Sequence, residues 1–137
     1  MFGSFDISAS ALGAQRVRID TIASNIANSD STVASYDAEG KPIPYRRLFT
    51  VFETQRTADG GLGGVSVKSI QQDWSPFREK IDPGNPLADA RGVVKYPNVD
   101  PFVENADAME AYRAYEANIT AIETTKSMMN ASLRVLA

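Results

Sequence analysis

The chain has 137 residues, 43% of them hydrophobic, a formal net charge of −3, and neither histidine nor cysteine. That length and apolar content can bury one core of moderate size; the missing imidazole and thiol remove the commonest general base, the commonest zinc ligands and the thiolate nucleophile. No block of Lys or Arg exceeds a pair, so the basic footprint of a nucleic-acid binder is missing, and no apolar run approaches the ~20 residues of a membrane span.

The pattern divides into three segments, 1–30, 31–104 and 105–137. "MFGSFDISAS" lacks the basic start and long apolar stretch of a secretory signal. The protein is therefore expected either to stay in the cytoplasm or to be exported by another route. Up to about residue 28, Phe5, Leu12, Ile19 and Ile26 recur every seven residues with Ile22 between the last two, which predicts an amphipathic helix. Ser8 and Gln15 thin its second row, and Gly13 costs about 1 kcal/mol against alanine. This helix gains most from a partner. Two asparagines sit where its stripe is best formed. Asn28 is predicted to end the helix, since asparagine tolerates the left-handed conformation of a C-terminus. Asn25 either faces water or, beside a buried seam, pairs with Asn118 at an equivalent position and sets register.

In the middle segment, "RRLFTVFE" and "GVSVKSIQ" flank the turn-rich "TADGGLGG", which predicts a hairpin with a long loop. "DWSPFREKI" offers a third strand, and the prolines of "DPGNPLAD" and "YPNVDP" keep those stretches extended or turned. "DGGLGG" fails as a phosphate loop because no "GK[ST]" follows. Asp73, Glu79 and Asp82 lack a histidine or metal-ligand spacing and read as solvated carboxylates. Trp74 and Phe77, around Pro76, read as anchors of this connector on the helices.

The last segment carries Tyr112, Tyr115, Ile119, Ile122, Lys126, Met129, Leu133 and Leu136 at alternating steps of three and four, a heptad seam interrupted only by Lys126, which reads as snorkelling beside Glu123. Asp107 with Glu110 reads as a capping box, and Lys126 and Arg134 sit late, as the helix dipole favours. Helical ends around a β-bearing middle make the chain α+β. A 31-residue helix is about 45 Å long, whereas a compact globule of this size is only about 37 Å across. The N-terminal helix is some ten residues shorter, so part of the seam is expected to face another molecule, most simply another copy or a relative.

"RIDTIASNIANSDST" resembles the N-terminal signature of the bacterial flagellar axial proteins of rod and hook, and "RAYEANITAIETTKSMMNASLRVL" resembles their C-terminal helix. Between them, "PYRRLFTVF", "SPF" and "DPGNPLADARGVVKYPNV" are similar to the centre of the FlgC-type proximal rod proteins. The resemblance implies a non-enzymatic structural subunit without cofactor, metal or small-molecule substrate. Its terminal helices would pack as a coiled-coil domain, with a small β-rich or irregular central domain contacting neighbours. It also implies assembly with other copies and with neighbouring rod proteins into a helical tube that carries torque across the periplasm, after export by the flagellar type III apparatus. The assembly interface is then expected at Leu12, Ile19, Ile22, Asn25, Ile26 and Asn28 of the first helix. On the second it falls at Tyr112, Tyr115, Asn118, Ile119, Ile122, Lys126, Met129, Leu133 and Leu136. A coiled-coil binding module or export chaperone is the alternative, distinguished by termini already folded in isolation; a small hydrolase using Asp73, Glu79 or Asp82 is a distant third.

Overall fold

The computed structural model describes residues 2–57 and 60–136, with the side chains of Phe2, Val135 and Leu136 outside that description. Two long helices bracket six short strands. Helix α1 spans Phe2–Ala27 and α2 spans Pro101–Leu136. The strands are β1 (Ser35–Tyr36), β2 (Pro42–Ile43), β3 (Leu48–Arg56), β4 (Leu62–Gln72), β5 (Arg78–Ile81) and β6 (Val93–Tyr96). The α+β reading holds, and the two helices pack together. Among the described residues no helix is long and apolar enough to cross a membrane.

The strands pair as three separate two-stranded sheets, β1 with β2, β3 with β4, and β5 with β6. The predicted hairpin is β3–β4, closed by Thr57 N–H on Gly61 O at 3.0 Å; Ala58 and Asp59 of its loop lie outside the described residues. "DWSPFREKI" does supply a strand, β5, yet it pairs antiparallel with β6 and not with the hairpin. Glu79 stands opposite Lys95 there, a favourable cross-strand charge pair.

Helix α2 begins four residues before the predicted segment. Asp100 Oδ1 accepts the Phe102 N–H at 2.9 Å and Pro101 takes the first helical position, where its missing N–H is no loss. This corrects the capping box placed at Asp107 and Glu110: Asp107 lies in the second turn and turns its carboxylate to Arg47. Asn28 does end α1, but by a different device. Among the described residues every positive φ belongs to glycine, so Asn28 is not left-handed. Its Nδ2 instead donates at 2.9 Å to Ser24 O, the carbonyl that its own backbone N–H also reaches at 3.1 Å, so the side chain folds back over the last turn.

The chain divides into two compact units that cut across the three sequence segments. One takes residues 1–20, 50–70 and 108–137; the other takes 21–49 and 71–107. In the first unit, the enclosed helix positions are small: Ser8, Ala14 and Ala111 are buried. Small side chains let helix backbones approach closely, which leaves the larger apolar groups at the margins. The hairpin is fastened to α1 through Ser10, whose Oγ accepts the Val65 N–H at 3.0 Å and donates to Ile7 O at 2.7 Å. Gly64 allows this approach. Its φ is +123° and a Cβ there would land on Ser10 Oγ. Gly64→Ala is therefore expected to lower stability by roughly 2–3 kcal/mol, from backbone strain plus the displaced serine. Urea unfolding of the variant measures it, and Gly3→Ala, at a position with open space around it, is the control.

In the second unit the most enclosed side chains are Glu104, Val94, Val99, Asn25 and Pro97. Two of these five are polar, and both take part in one hydrogen-bonded hub.

Candidate functional site

Asn25 comes from the last turn of α1 and is fully buried, at 0% exposure. Its Nδ2 donates to Leu48 O at 2.7 Å, and its Oδ1 accepts the Leu48 N–H at 2.9 Å. The side-chain amide thus pairs with the first residue of β3 as a neighbouring strand would, satisfying both of its backbone groups. Nδ2 also donates to Glu104 Oε2 at 3.0 Å, and Tyr45 Oη–H donates to Oδ1 at 3.0 Å. Every hydrogen-bonding group of this amide is occupied within its own chain. The reading of Asn25 as a register-setting partner of Asn118 is therefore corrected: Asn118 Nδ2 bonds back to Ala114 O at 2.7 Å on its own helix.

Glu104, also at 0% exposure, comes from the first turn of α2 and is the unit's buried charge. Arg47, on the residue before β3, meets it with Nε at 2.5 Å from Oε1. The same guanidinium reaches Asp107 at 3.2 Å through Nη2 and Asp73 at 3.9 Å through Nη1. A buried carboxylate persists only when paired and hydrogen-bonded; Glu104 has Arg47 on one oxygen and Asn25 on the other. A second asparagine completes the frame. Asn98 Oδ1 accepts the Arg47 N–H at 2.9 Å, and its Nδ2 donates to Asp73 O and Ser75 Oγ, both at 2.9 Å.

Asp73 is held below its ordinary carboxylate range, chiefly because the Ser75 N–H donates to it and the Ser75 hydroxyl adds a second bond; Arg47 and Arg46 contribute charge, against a small desolvation. A depressed folded-state pKa gives stability above the unfolded value, near 4, that is lost as pH falls through the folded one. The group is largely solvated, so the gain is about 0.5–1 kcal/mol. Asp73→Asn is expected to differ from the parent by that amount at pH 7 and to converge with it as pH falls through the folded value, read from urea midpoints across pH.

The sequence signalled these hub residues weakly. Asp73 was read only as a solvated carboxylate, and Tyr45, Arg47, Asn98 and Glu104 carry no periodicity of their own. The available clue was "YRR" at the mouth of a strand together with an acid in the otherwise apolar "PFVEN", where charge without amphipathic purpose marks a buried pair.

In the first unit, the heptad seam of α2 splits into two rows. Tyr115, Ile122 and Met129 are half-buried, as is Asn118. The other row, Tyr112, Ile119, Lys126 and Leu133, turns outward, with Tyr112 55% and Leu133 62% exposed. Leu136, expected on the same seam, has its side chain outside the described residues. On α1, Leu12 and Ile19 are half-buried in this unit. In the other unit Ile22 is buried and Ile26 and Asn28 are half-buried. The hydroxyls of α2 are spent locally: Thr120, Thr124, Thr125 and Ser132 each donate to the carbonyl four residues back. Those four hydroxyls are thus satisfied within the helix, while the outward row sets the apolar Ile119 and Leu133 beside the exposed charges of Glu116, Glu123 and Lys126. Among the described residues no three His, Cys, Asp or Glu side chains gather as metal ligands do.

Paired long helices with an outward apolar row, and a polar hub that braces them without chemistry of its own, define a structural subunit. Comparison with known proteins gives its kind. Residues 5–33 match the family described as flagella basal body rod protein, and residues 90–135 match flagellar basal body rod FlgEFG protein C-terminal. The FlgC flagellar basal-body rod protein of Bacillus subtilis is 41% identical, over 98% of this chain and 97% of its own. That of Salmonella typhimurium is 46% identical over 91% and 90%, and that of Buchnera aphidicola from Acyrthosiphon pisum is 37% identical over 96% and 94%. The chain belongs to the FlgC family of flagellar basal-body rod proteins, and is a structural component of the basal body, not an enzyme.

Proposed function

We propose that this rod subunit is joined to its neighbours, copies of itself and other rod proteins, through its terminal helices. The outward row Tyr112, Ile119, Lys126 and Leu133 of α2 meets adjoining subunits, and Leu12, Ile19 and Ile26 of α1 add to the contact. Repeated around a helical tube, such contacts pass torque across the periplasm by stiff packing alone. Torque transmission requires fixed register and dense contact; no step requires a reacting group. Export through the flagellar type III apparatus fits a first unit whose enclosed helix positions are small residues, which unfolds at low cost before it is covered.

The observation that carries this reading is the exposed apolar row on an otherwise continuous helix. Rows of that kind are covered in assembled coiled coils. Hydrogen exchange on the isolated protein and on purified basal bodies tests it. Amides of residues 108–133 are expected to exchange at least about tenfold more slowly in the assembly. Equal rates in the two states would show that nothing covers the row. Leu133→Asp should give the same result by another route: the isolated protein stays folded, but the chain is not retained in basal bodies and the cells do not swim.

A further inference from the structure

Trp74 is the sole tryptophan of the chain and is 76% exposed, so it does not anchor the connector on the helices as its sequence context implied. Its ring lies instead against Arg46, whose Cζ is 4.6 Å from the Trp74 centroid and 4.2 Å from that of Phe77. The loop beneath is fixed. Arg46 Nη1 donates to Asp73 O at 3.2 Å and to Ser75 O at 3.3 Å, Asn98 holds the same two carbonyls, and Ser75 N–H bonds the Asp73 carboxylate at 2.9 Å. An exposed indole on a mobile loop carries little meaning. One whose loop is pinned at every turn is presented.

Two features of the patch indicate what it is presented to. First, Arg46 spends only Nη1. Its Nε and Nη2, which form the side-on fork of a guanidinium, have no hydrogen-bond partner and no carboxylate within 4 Å among the described residues; the nearby Asp73 carboxylate is bonded to Ser75 and paired with Arg47. With π faces covering the cation, a ligand must approach in the plane of the fork, the geometry that suits a carboxylate bidentately. Second, Trp74 shares a shallow hollow of about 490 Å³ with Phe49, Gln71, Gln72 and Asp73, so apolar rings and polar groups together flank the fork, and the Asp73 carboxylate there is already engaged by Ser75 and Arg47. Trp and Arg together are the usual anchors of a protein contact.

The chain carries a matching surface. On α2, Glu116 and Glu123 are exposed on either side of the exposed Ile119, whereas Glu110, also exposed, is already paired with Arg18 of its own chain at 3.7 Å. Carboxylates alternating with apolar groups are the complement of a guanidinium flanked by aromatics. We propose that Arg46, Trp74 and Phe77 form a docking point for the acidic, apolar stretch 110–123 of α2 on a second copy of this chain, an inference that rests on the rod-subunit reading above. Such a contact joins different patches on the two copies. It is heterologous, and therefore repeats along a helical assembly without closing into a dimer.

The test places a photo-reactive residue in the intact chain, in cells that build basal bodies. Trp74→p-benzoylphenylalanine is expected, on illumination, to give a covalent dimer of this chain with the attachment inside residues 110–123 of the second copy. A product joined to another protein, a dimer attached elsewhere, or no product overturns the proposal. A parallel chain with the same probe at Leu133 reports on the rod-subunit reading itself. If Leu133 cross-links to a rod subunit and position 74 gives no α2 adduct, the docking point falls alone. If neither position gives a product, both readings fall.

Discussion

Arg47→Met is expected to destabilise the isolated protein by about 3–5 kcal/mol, the range found when one partner of a buried ion pair is removed. The reason lies in Glu104, which has no exposed surface and, among the described residues, is paired with the cation of Arg47 alone, through Nε. Without it the carboxylate keeps one neutral donor, Asn25 Nδ2, and stays buried with a charge it cannot solvate. Asp107 and Asp73 lose the same guanidinium. A domain of this size is stable by only about 5–15 kcal/mol, so much of the margin disappears and motility should fail with it. Adding Glu104→Gln to the variant is expected to recover at least half of the loss. The amide oxygen still accepts from Asn25, and no unpaired charge remains at the fully buried position. Urea unfolding followed by far-ultraviolet circular dichroism measures both. A loss under about 1 kcal/mol for Arg47→Met would mean that the hub does not hold the second unit together.

How far the sequence foretold this depends on whether the signal was periodic or spatial. Repeats of seven predict a helix directly, because side chains at that spacing share a face whatever lies across from it. The two helices and the β3–β4 hairpin were therefore legible. The start of α2 was not, since "VDP" was read as a turn when Asp100 and Pro101 are a cap and a first helical residue. Nor was the partition of the seam, because burial of Tyr115 and exposure of Tyr112 depend on where α1 lies, which periodicity does not encode. The hub was least legible of all. Arg47 and Glu104 are 57 residues apart and Asn25 and Glu104 are 79 apart, so their relation exists only once the chain has folded. Trp74 misled for a related reason: large aromatics are usually anchors, and here the ring stays exposed with Arg46 against it.

Asn25→Asp is the sharper test of what the asparagine does, because it changes no shape. The introduced carboxylate still accepts from Leu48 N–H and Tyr45 Oη–H, but its other oxygen points where Nδ2 now donates, at 2.7 Å from Leu48 O and 3.0 Å from Glu104 Oε2. Two buried carboxylates at that separation do not both ionise. A loss of about 3–4 kcal/mol is expected at neutral pH, from an unmade bond to Leu48 and the like-charge contact. The pH dependence has a definite sign. The new carboxyl titrates higher in the folded state than in the unfolded one, so at low pH its hydroxyl restores one of the two bonds that Nδ2 donates and the like-charge contact is absent, and both gains are lost as pH rises through its folded value. The variant should therefore approach the parent near pH 4 and fall away from it above, whereas Asn25→Leu, which simply orphans Leu48, should be equally poor across that range. Both are measured on the isolated chain, where no neighbouring subunit is present. An amide serving only an assembly interface would leave that stability unchanged. An amide that closes the edge of β3 and neutralises half of Glu104's need for donors cannot be replaced without cost even in a lone subunit.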